Sequence, residues 1–248
     1  MGSDLVGLVF VLAFLGLIVG IGFVRRDPSQ RGLREIRSFS RLKRSIGLAV
    51  EAGQRLHVMI GDGGIQGMHG ASGLMGLSLI QKMTRTAAVS DRPPTATSGE
   101  PMLAILSQDV MHSGYREVNA EERFEPASAQ LAGLGAMGYI AGTLPVILDQ
   151  QVSVNVMIGS FGSEVGLSSD AAERTDSLTI GGSDNLPAQA VLFASNQEPL
   201  VGEELYAAGA YLQVNKFHAS SLLAQDVFRW VLIGIILVGT LFKIAGGL

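Results

Sequence analysis

No cysteine occurs anywhere in the chain, so neither a disulfide framework nor a thiolate metal site can form. Histidine is scarce as well. His57, His69, His112 and His218 show neither H-x-H nor H-x-x-x-H spacing, which leaves no histidine metal motif. Two signatures of catalysis are missing. There is no G-x-x-x-x-G-K-[ST] phosphate loop, and "GSFGS" at Gly159–Ser163 is not the G-x-S-x-G of a nucleophile elbow. Charged residues supply only 16% of 248 positions and aromatics 6%, against 47% apolar residues. With a mean hydropathy of +0.34, that shortage of charge points to membrane segments.

Two apolar runs have the required length. Leu5–Val24 carries no charge over twenty residues, about 30 Å of helix, enough to cross a hydrocarbon core. Its leading flank, "MGSD", lacks the basic region of a cleaved signal peptide, so the reading is a retained anchor. The second run, 227–248, has an apolar centre from Trp230 to Phe242, with Arg229 and Lys243 placed to snorkel. A third stretch, Leu131–Leu148, is read as a buried helix that ends before Pro145 and feeds a strand. If it spanned the bilayer instead, residues 149–226 would change sides.

Charge gives a direction. Residues 25–44 hold eight Lys/Arg and two acids, whereas residues 45–248 hold ten Lys/Arg and nineteen acids. By the positive-inside rule the basic collar and the body lie on the cytoplasmic face of a cell (inner) membrane, with both termini outside. An acidic body excludes nucleic acid as its partner. Within the collar, Leu33, Ile36, Phe39, Leu42, Ile46 and Val50 recur at helical spacing. Arg34, Arg37, Arg41, Lys43 and Arg44 form a basic face that suits anionic headgroups. Docking of the same helix on its own domain is the other open reading. The expected organisation is an anchor at 1–24, a basic amphipathic helix at 25–53, an α/β domain at 54–226 and an anchor at 227–248.

The body reads as a doubled unit. "LHVMIG" (Leu56–Gly61) is an apolar strand with a glycine exit, and "VNVMIGSFG" (Val154–Gly162) repeats it. "MLAILSQD" (Met102–Asp109) and "AVLFASNQE" (Ala190–Glu198) are taken as a second pair of strands with polar tips. Thr84–Pro101 is taken as a polar loop. The fold class is therefore α/β and Rossmann-like: a mostly parallel sheet built from a duplicated βαβ unit (about 54–150 and 151–226), flanked by N- and C-terminal transmembrane helices.

Ligands of such sheets bind at carboxyl strand ends. The candidates are Gly61, Asp62 and Gly63 after the first strand, Ser107 and Asp109 after the second, and Ser195, Asn196 and Glu198 after the last. Capping of the following helices is their alternative role. The G-x-G-x-x-G fingerprint fails because its third position is Gln66, and Asp62 would repel a phosphate. Glycine nevertheless recurs at every third place from Gly61 to Gly76. On a helix, Gly67, Gly70, Gly73 and Gly76 clear a smooth surface for a close neighbour, as do Gly138 and Gly142, either within the domain or between copies.

The N-terminal anchor, the collar "RRDPSQRGLREIRSFSRLKRSIGLAVEAGQRLH", the "GDGGIQG" turn and the C-terminal anchor together resemble an uncharacterised prokaryotic membrane-protein family defined only as a domain of unknown function. The resemblance covers most of the chain and implies no catalytic residue, cofactor or metal. The expected function is a non-enzymatic scaffold that self-assembles through its glycine-lined helices on the lipid bilayer, alone or with other membrane proteins. The alternative is a membrane-bound ligand- or nucleotide-binding sensor built around Gly61 and Ser107.

Overall fold

The computed structural model describes residues 2–24, 34–67, 69–212 and 216–244, which form two units. The first contains α1 (Gly2–Val24) and α9 (Lys216–Ile244), packed together through Phe10 and Phe14 against Phe228, with ring centroids 5.0 and 5.5 Å apart. Both helices are long and apolar enough to cross a membrane, over Leu5–Phe23 and His218–Ile244. Their apolar side chains are exposed along most of the length, from Leu5 to Phe23 and from Trp230 to Ile244.

The second unit, Glu35–Val214, is an α/β domain. Its elements run α2 (Arg37–Glu51), β1 (Arg55–Gly61), α3 (Gly70–Ala87), β2 (Thr95–Ser98), α4 (Pro101–Glu117), β3 (Ala129–Leu131) and α5 (Ala136–Asp149). They continue β4 (Val152–Ser160), α6 (Val165–Arg174), β5 (Leu178–Ser183), α7 (Leu186–Ser195), β6 (Glu198–Pro199) and α8 (Glu204–Tyr211). All five strand pairings are parallel, in the order β3-β2-β1-β4-β5-β6. This is the order of doubly wound dinucleotide-type sheets, and it reverses between β1 and β4. A helix intervenes between each strand and the next, from α3 after β1 to α7 after β5, and so returns the chain to the edge where each parallel strand begins.

Alternation along the strands sends Met59 and Met157 to one face, where they meet Tyr139, Ile140 and Ile147 of α5, Val165 and Ala172 of α6, and Leu192 of α7. Ile60 and Ile158 point to the other face, beneath α3. Contact there is so close that a Cβ on Gly76 would lie 2.6 Å from Ile60 Cγ2 and 2.8 Å from the Ile158 carbonyl. Gly73 likewise makes room for Leu103 of α4, at 3.1 Å. The neighbours these two glycines admit thus belong to their own domain.

Four sequence expectations are corrected. Met102–Asp109 is not a strand but part of α4. Pro101 stands in its first turn, the Glu100 carboxylate caps it by accepting from Leu103 N at 2.7 Å, and Leu103, Ser107, Met111 and Tyr115 recur on its buried face. Ala190–Ser195 is likewise helical, within α7, leaving only Glu198–Pro199 as strand. The strand that replaces the first of these, "TATS", lies inside the stretch read as a loop, and all four of its residues are buried. "LTIGGS" forms β5 and was not foreseen. Finally, α5 runs through Pro145 to Asp149, with Val146 and Ile147 in the core. Burial of that face outweighs the one backbone hydrogen bond that proline removes.

The collar helix α2 buries Ser38, Phe39, Leu42, Ile46 and Ala49 in the domain, Phe39 stacking on Tyr211 at 5.1 Å. Its apolar stripe therefore faces protein, and Arg37, Arg41, Lys43 and Arg44 remain on the exposed side. Of that stripe's six positions, Leu33 lies outside the described residues.

β4 carries an extra residue relative to β1 at each end. Arg55 pairs with Val152 but Leu56 with Val154, and Met59 pairs with Met157 but Gly61 with Ser160. The first bulge falls at Ser153 and the second at Ile158–Gly159. Bulges are rare in parallel pairs and commonly re-aim side chains at sites.

Candidate functional site

The second bulge lies where the strand order reverses. At this point the chain leaves β1 as Gly61–Gly64 and β4 as Ser160–Ser163, and the two exits diverge to opposite faces of the sheet. The exits are tied before they part. Asp62 N donates to the Ser160 carbonyl at 3.1 Å, and Gly99 N, after β2, donates to the Gly61 carbonyl at 2.8 Å. Gly61 has φ +87, and a Cβ there would collide with the Ser160 carbonyl, so only glycine fits. Beneath the turn, Gly61 N donates to the Tyr139 hydroxyl at 3.3 Å, which itself donates to the Thr97 carbonyl at 3.2 Å. Burial raises the Tyr139 phenol far above its ordinary value, so it serves as a neutral strut.

Three segments converge above this frame. His69 ends the glycine loop, Ser160 ends β4, and Asp184 follows β5. His69 Nδ1 lies 3.0 Å from Asp184 Oδ2 and 3.3 Å from Ser160 Oγ. Ser72 Oγ, in the first turn of α3, is 2.9 Å from the same Asp184 oxygen and 2.8 Å from the His69 carbonyl, and its single proton serves one of them at a time. The Asp184 side chain is only 8% exposed, whereas that of His69 is 57% exposed. The other oxygen of Asp184, Oδ1, is buried without a hydrogen-bond partner.

The geometry limits the chemistry. A serine–histidine–aspartate relay needs serine on one ring nitrogen and aspartate on the other. Here both share Nδ1. The proton on Nδ1 is held by Asp184, so that nitrogen cannot take one from Ser160. His69 Nε2 is left as the basic nitrogen of a histidine–aspartate pair.

Electrostatics point the same way. In nucleotide-binding sheets of this order the pyrophosphate sits at the N-terminus of the helix after β1. In this protein the Asp184 carboxylate stands at that turn of α3, Glu100 caps α4, and Glu164 accepts from Gly162 N at 2.8 Å before α6. Burial, reinforced by the negative charge of Glu164, raises the Asp62 carboxyl above its usual range. The protein's own carboxylates serve the positions where a phosphate would bind. Among the described residues, no three His, Asp or Glu side chains group as a metal site.

Of the sequence candidates, Gly61, Asp62 and Gly63 occupy this crevice. Ser107 and Asp109 do not, because α4 carries them away from the strand ends. Ser107 is buried and donates to the Leu103 carbonyl at 2.6 Å, while Asp109 is exposed. Ser195, Asn196 and Glu198 precede or begin β6 and so lie at the amino edge of the sheet. Ser195 donates to the Val191 carbonyl, Asn196 accepts from Ser169 Oγ at 2.8 Å, and Glu198 binds Arg41 at 2.8 Å and Ser38 at 3.2 Å. Gly67 (φ +103) faces open space, Gly70 packs on the Ile65 carbonyl, Gly142 packs on Ala132, and Gly138 is nearly unobstructed. Arg34, with the other basic collar residues, is exposed.

Sequence reasoning missed His69, Ser72, Ser160, Glu164 and Asp184. In the sequence, His69 bears only on metal spacing, and Ser160 lies in "GSFGS", which is not a nucleophile elbow. Recognising "LTIGGSD" as a parallel strand would have placed Asp184 on the same edge as Asp62.

Fold and site together define a class: a doubly wound α/β domain in a chain with two apolar, membrane-length helices, its crevice furnished with carboxylates and one histidine. The chain belongs to the family described as Domain of unknown function (DUF6754), whose model matches residues 2–247. No curated protein and no solved structure matches it.

Proposed function

We propose that this protein is a membrane-tethered ligand-binding module that holds a small, uncharged or cationic molecule between the carboxyl ends of β1 and β4. The observation that carries this reading is the convergence of His69, Ser160 and Asp184 from three separate segments at the point of strand-order reversal. The shared Nδ1 favours binding over turnover, and the carboxylates disfavour nucleotides. The basic collar supports a cytoplasmic position for the domain, with α1 and α9 in the inner membrane of a prokaryotic cell and both termini outside. The matching halves β1–α3–β2–α4–β3 and β4–α6–β5–α7–β6, with "VMIG" in both first strands, support an origin by internal duplication.

The test is a thermal-shift screen of the full chain in a detergent without sugar headgroups, using nucleotides, polyamines and neutral metabolites. Gly64 has no heavy atom within 4 Å of a Cβ position, so Gly64→Trp would obstruct the crevice without disturbing packing. Stabilisation by a neutral or cationic compound, lost in Gly64→Trp, is expected. Stabilisation by no class of compound, or equally in both proteins, rejects the site.

A second reading, self-assembly, is favoured by a different observation. Met102 and Ile105 of α4, Leu134 and Met137 before and in α5, and Leu186 and Phe193 of α7 are exposed apolar side chains, Phe193 at 65%. Light scattering of the extracted protein decides it, since a strictly monomeric particle removes the scaffold.

A further inference from the structure

The opposite edge of the sheet carries a second site. A cleft of about 780 Å³, within the roughly 300–1,000 Å³ range of small-molecule sites, opens at the amino ends of β4 and β5 against α2. Its lining includes Ser153, the bulged residue of β4, whose hydroxyl is buried without a hydrogen-bond partner. Two residues on the rim, Gln151 and Asp176, have φ of 53 and 54, in the left-handed region that favours glycine. Each stands just before a strand, where glycine would fit without strain, and each instead presents a polar side chain to the same cleft. A parallel-strand bulge, an orphaned hydroxyl and two strained polar residues thus meet at one cavity. Strain and unsatisfied groups gathered in this way mark binding sites.

The lining sets the ligand class. The amides of Gln54 and Gln151 can both donate and accept, as can the hydroxyl of Ser153, whereas the Gln197 amide is held by Arg41 and the Ser177 carbonyl and the Thr175 hydroxyl by the Ala172 carbonyl and Ser177 Oγ. Arg41 is already paired with Glu198 and Gln197, so it offers little free charge, and Asp176 disfavours an anion. Leu48 of α2 and Leu148 of α5 supply apolar walls. Two amides and a hydroxyl beside aliphatic walls match a ring with hydroxyls on its edge and C–H groups on its faces. We propose that the amino-edge cleft binds a neutral polyhydroxylated ligand of the sugar class, with Ser153 donating or accepting the central hydrogen bond.

The experiment is saturation-transfer NMR on the full chain in a detergent without sugar headgroups, with glucose, N-acetylglucosamine, maltose and glucose 6-phosphate as probes at millimolar concentration. At least one neutral sugar should give signal and glucose 6-phosphate none. Ser153→Ala removes a hydroxyl with no partner in the protein, so it leaves the melting temperature unchanged or raised while weakening the sugar about tenfold. Ser45→Trp fills the cleft from α2 and abolishes the signal, whereas Gly64→Trp, at the other edge, leaves it intact. Absence of signal with every neutral sugar, preference for the phosphate ester, or signal unchanged in both Ser153→Ala and Ser45→Trp overturns the proposal. Loss of the signal in Gly64→Trp alone would place the sugar in the crevice and overturn it equally.

Discussion

His57 makes the stability of the α/β domain depend on acid in a way that can be worked from its surroundings. It lies in the middle of β1 with no exposed surface, Nδ1 at 2.8 Å from Asn155 Oδ1 of β4 and Nε2 at 3.0 Å from Thr97 Oγ1 of β2. Asn155 accepts from the ring and Thr97 donates to it, so the neutral imidazole is fully satisfied. A second ring proton would have to be buried against the threonine. Desolvation pushes the imidazole down to about 4 from its ordinary 6.5, and the nearby Arg55 charge adds to the effect. In the unfolded chain His57 binds its proton near pH 6.5. Between there and pH 4 the unfolded state holds more protons than the folded one, so stability falls as pH falls. The loss is about 1.4 kcal/mol per pH unit and totals roughly 3 kcal/mol by pH 4. That is a large share of the 5–15 kcal/mol typical of a domain. The stability is complete above pH 6.5 and the decline flattens below pH 4. Urea unfolding of the full chain in detergent, followed by circular dichroism at pH 7, 5.5 and 4, would measure it against His57→Gln. The carboxylates titrate in both proteins, so the difference between the two curves isolates His57. The wild type should be the more stable at pH 7 and should lose that margin toward pH 4. Parallel curves would refute the buried neutral histidine.

Other expectations follow from packing and charge. Gly76→Leu, forced against Ile60 and the Ile158 carbonyl, should cost about 3 kcal/mol or prevent folding, whereas Gly64→Ala should change stability by less than about 0.5 kcal/mol in thermal melts. Asp176→Gly relieves a left-handed residue and should stabilise by up to about 1 kcal/mol, read as a higher melting temperature. Glu198 is 9% exposed in its side chain while Arg41 is 45% exposed. Arg41→Ala, which strands the carboxylate, should therefore cost more (about 1–2 kcal/mol) than Glu198→Gln, and a double-mutant cycle checks the asymmetry.

The errors in reading the chain share one cause. Four-residue strands and amphipathic helices of α/β proteins are both short and apolar on one side, so "MLAILSQD" fits a buried strand as well as the start of α4. What distinguishes them is Glu100, whose side chain reaches forward to Leu103 N and commits the segment to helix. "TATS" looked like a loop because it is polar, yet its threonines are buried between β1 and β3, where Thr97 reaches His57. A polar strand of this kind is legible only once its partner is known.

By itself the sequence determined what depends on chain length and local pattern: two apolar helices of membrane length, an acidic body behind a basic collar, and two strands ending in glycine. Periodicity and charge act locally, and no tertiary contact is needed to read them. Only the tertiary structure decided what depends on distant segments meeting. It set the strand order, which turned Gly76 of α3 toward its own sheet and Gly73 toward α4. It brought His69, Ser160 and Asp184 together across more than a hundred residues of chain. It also sent Glu198 to the amino edge, away from Gly61. Which edge of a sheet a residue occupies follows from the pairing of strands far apart in sequence, and that pairing is fixed by burial of whole faces.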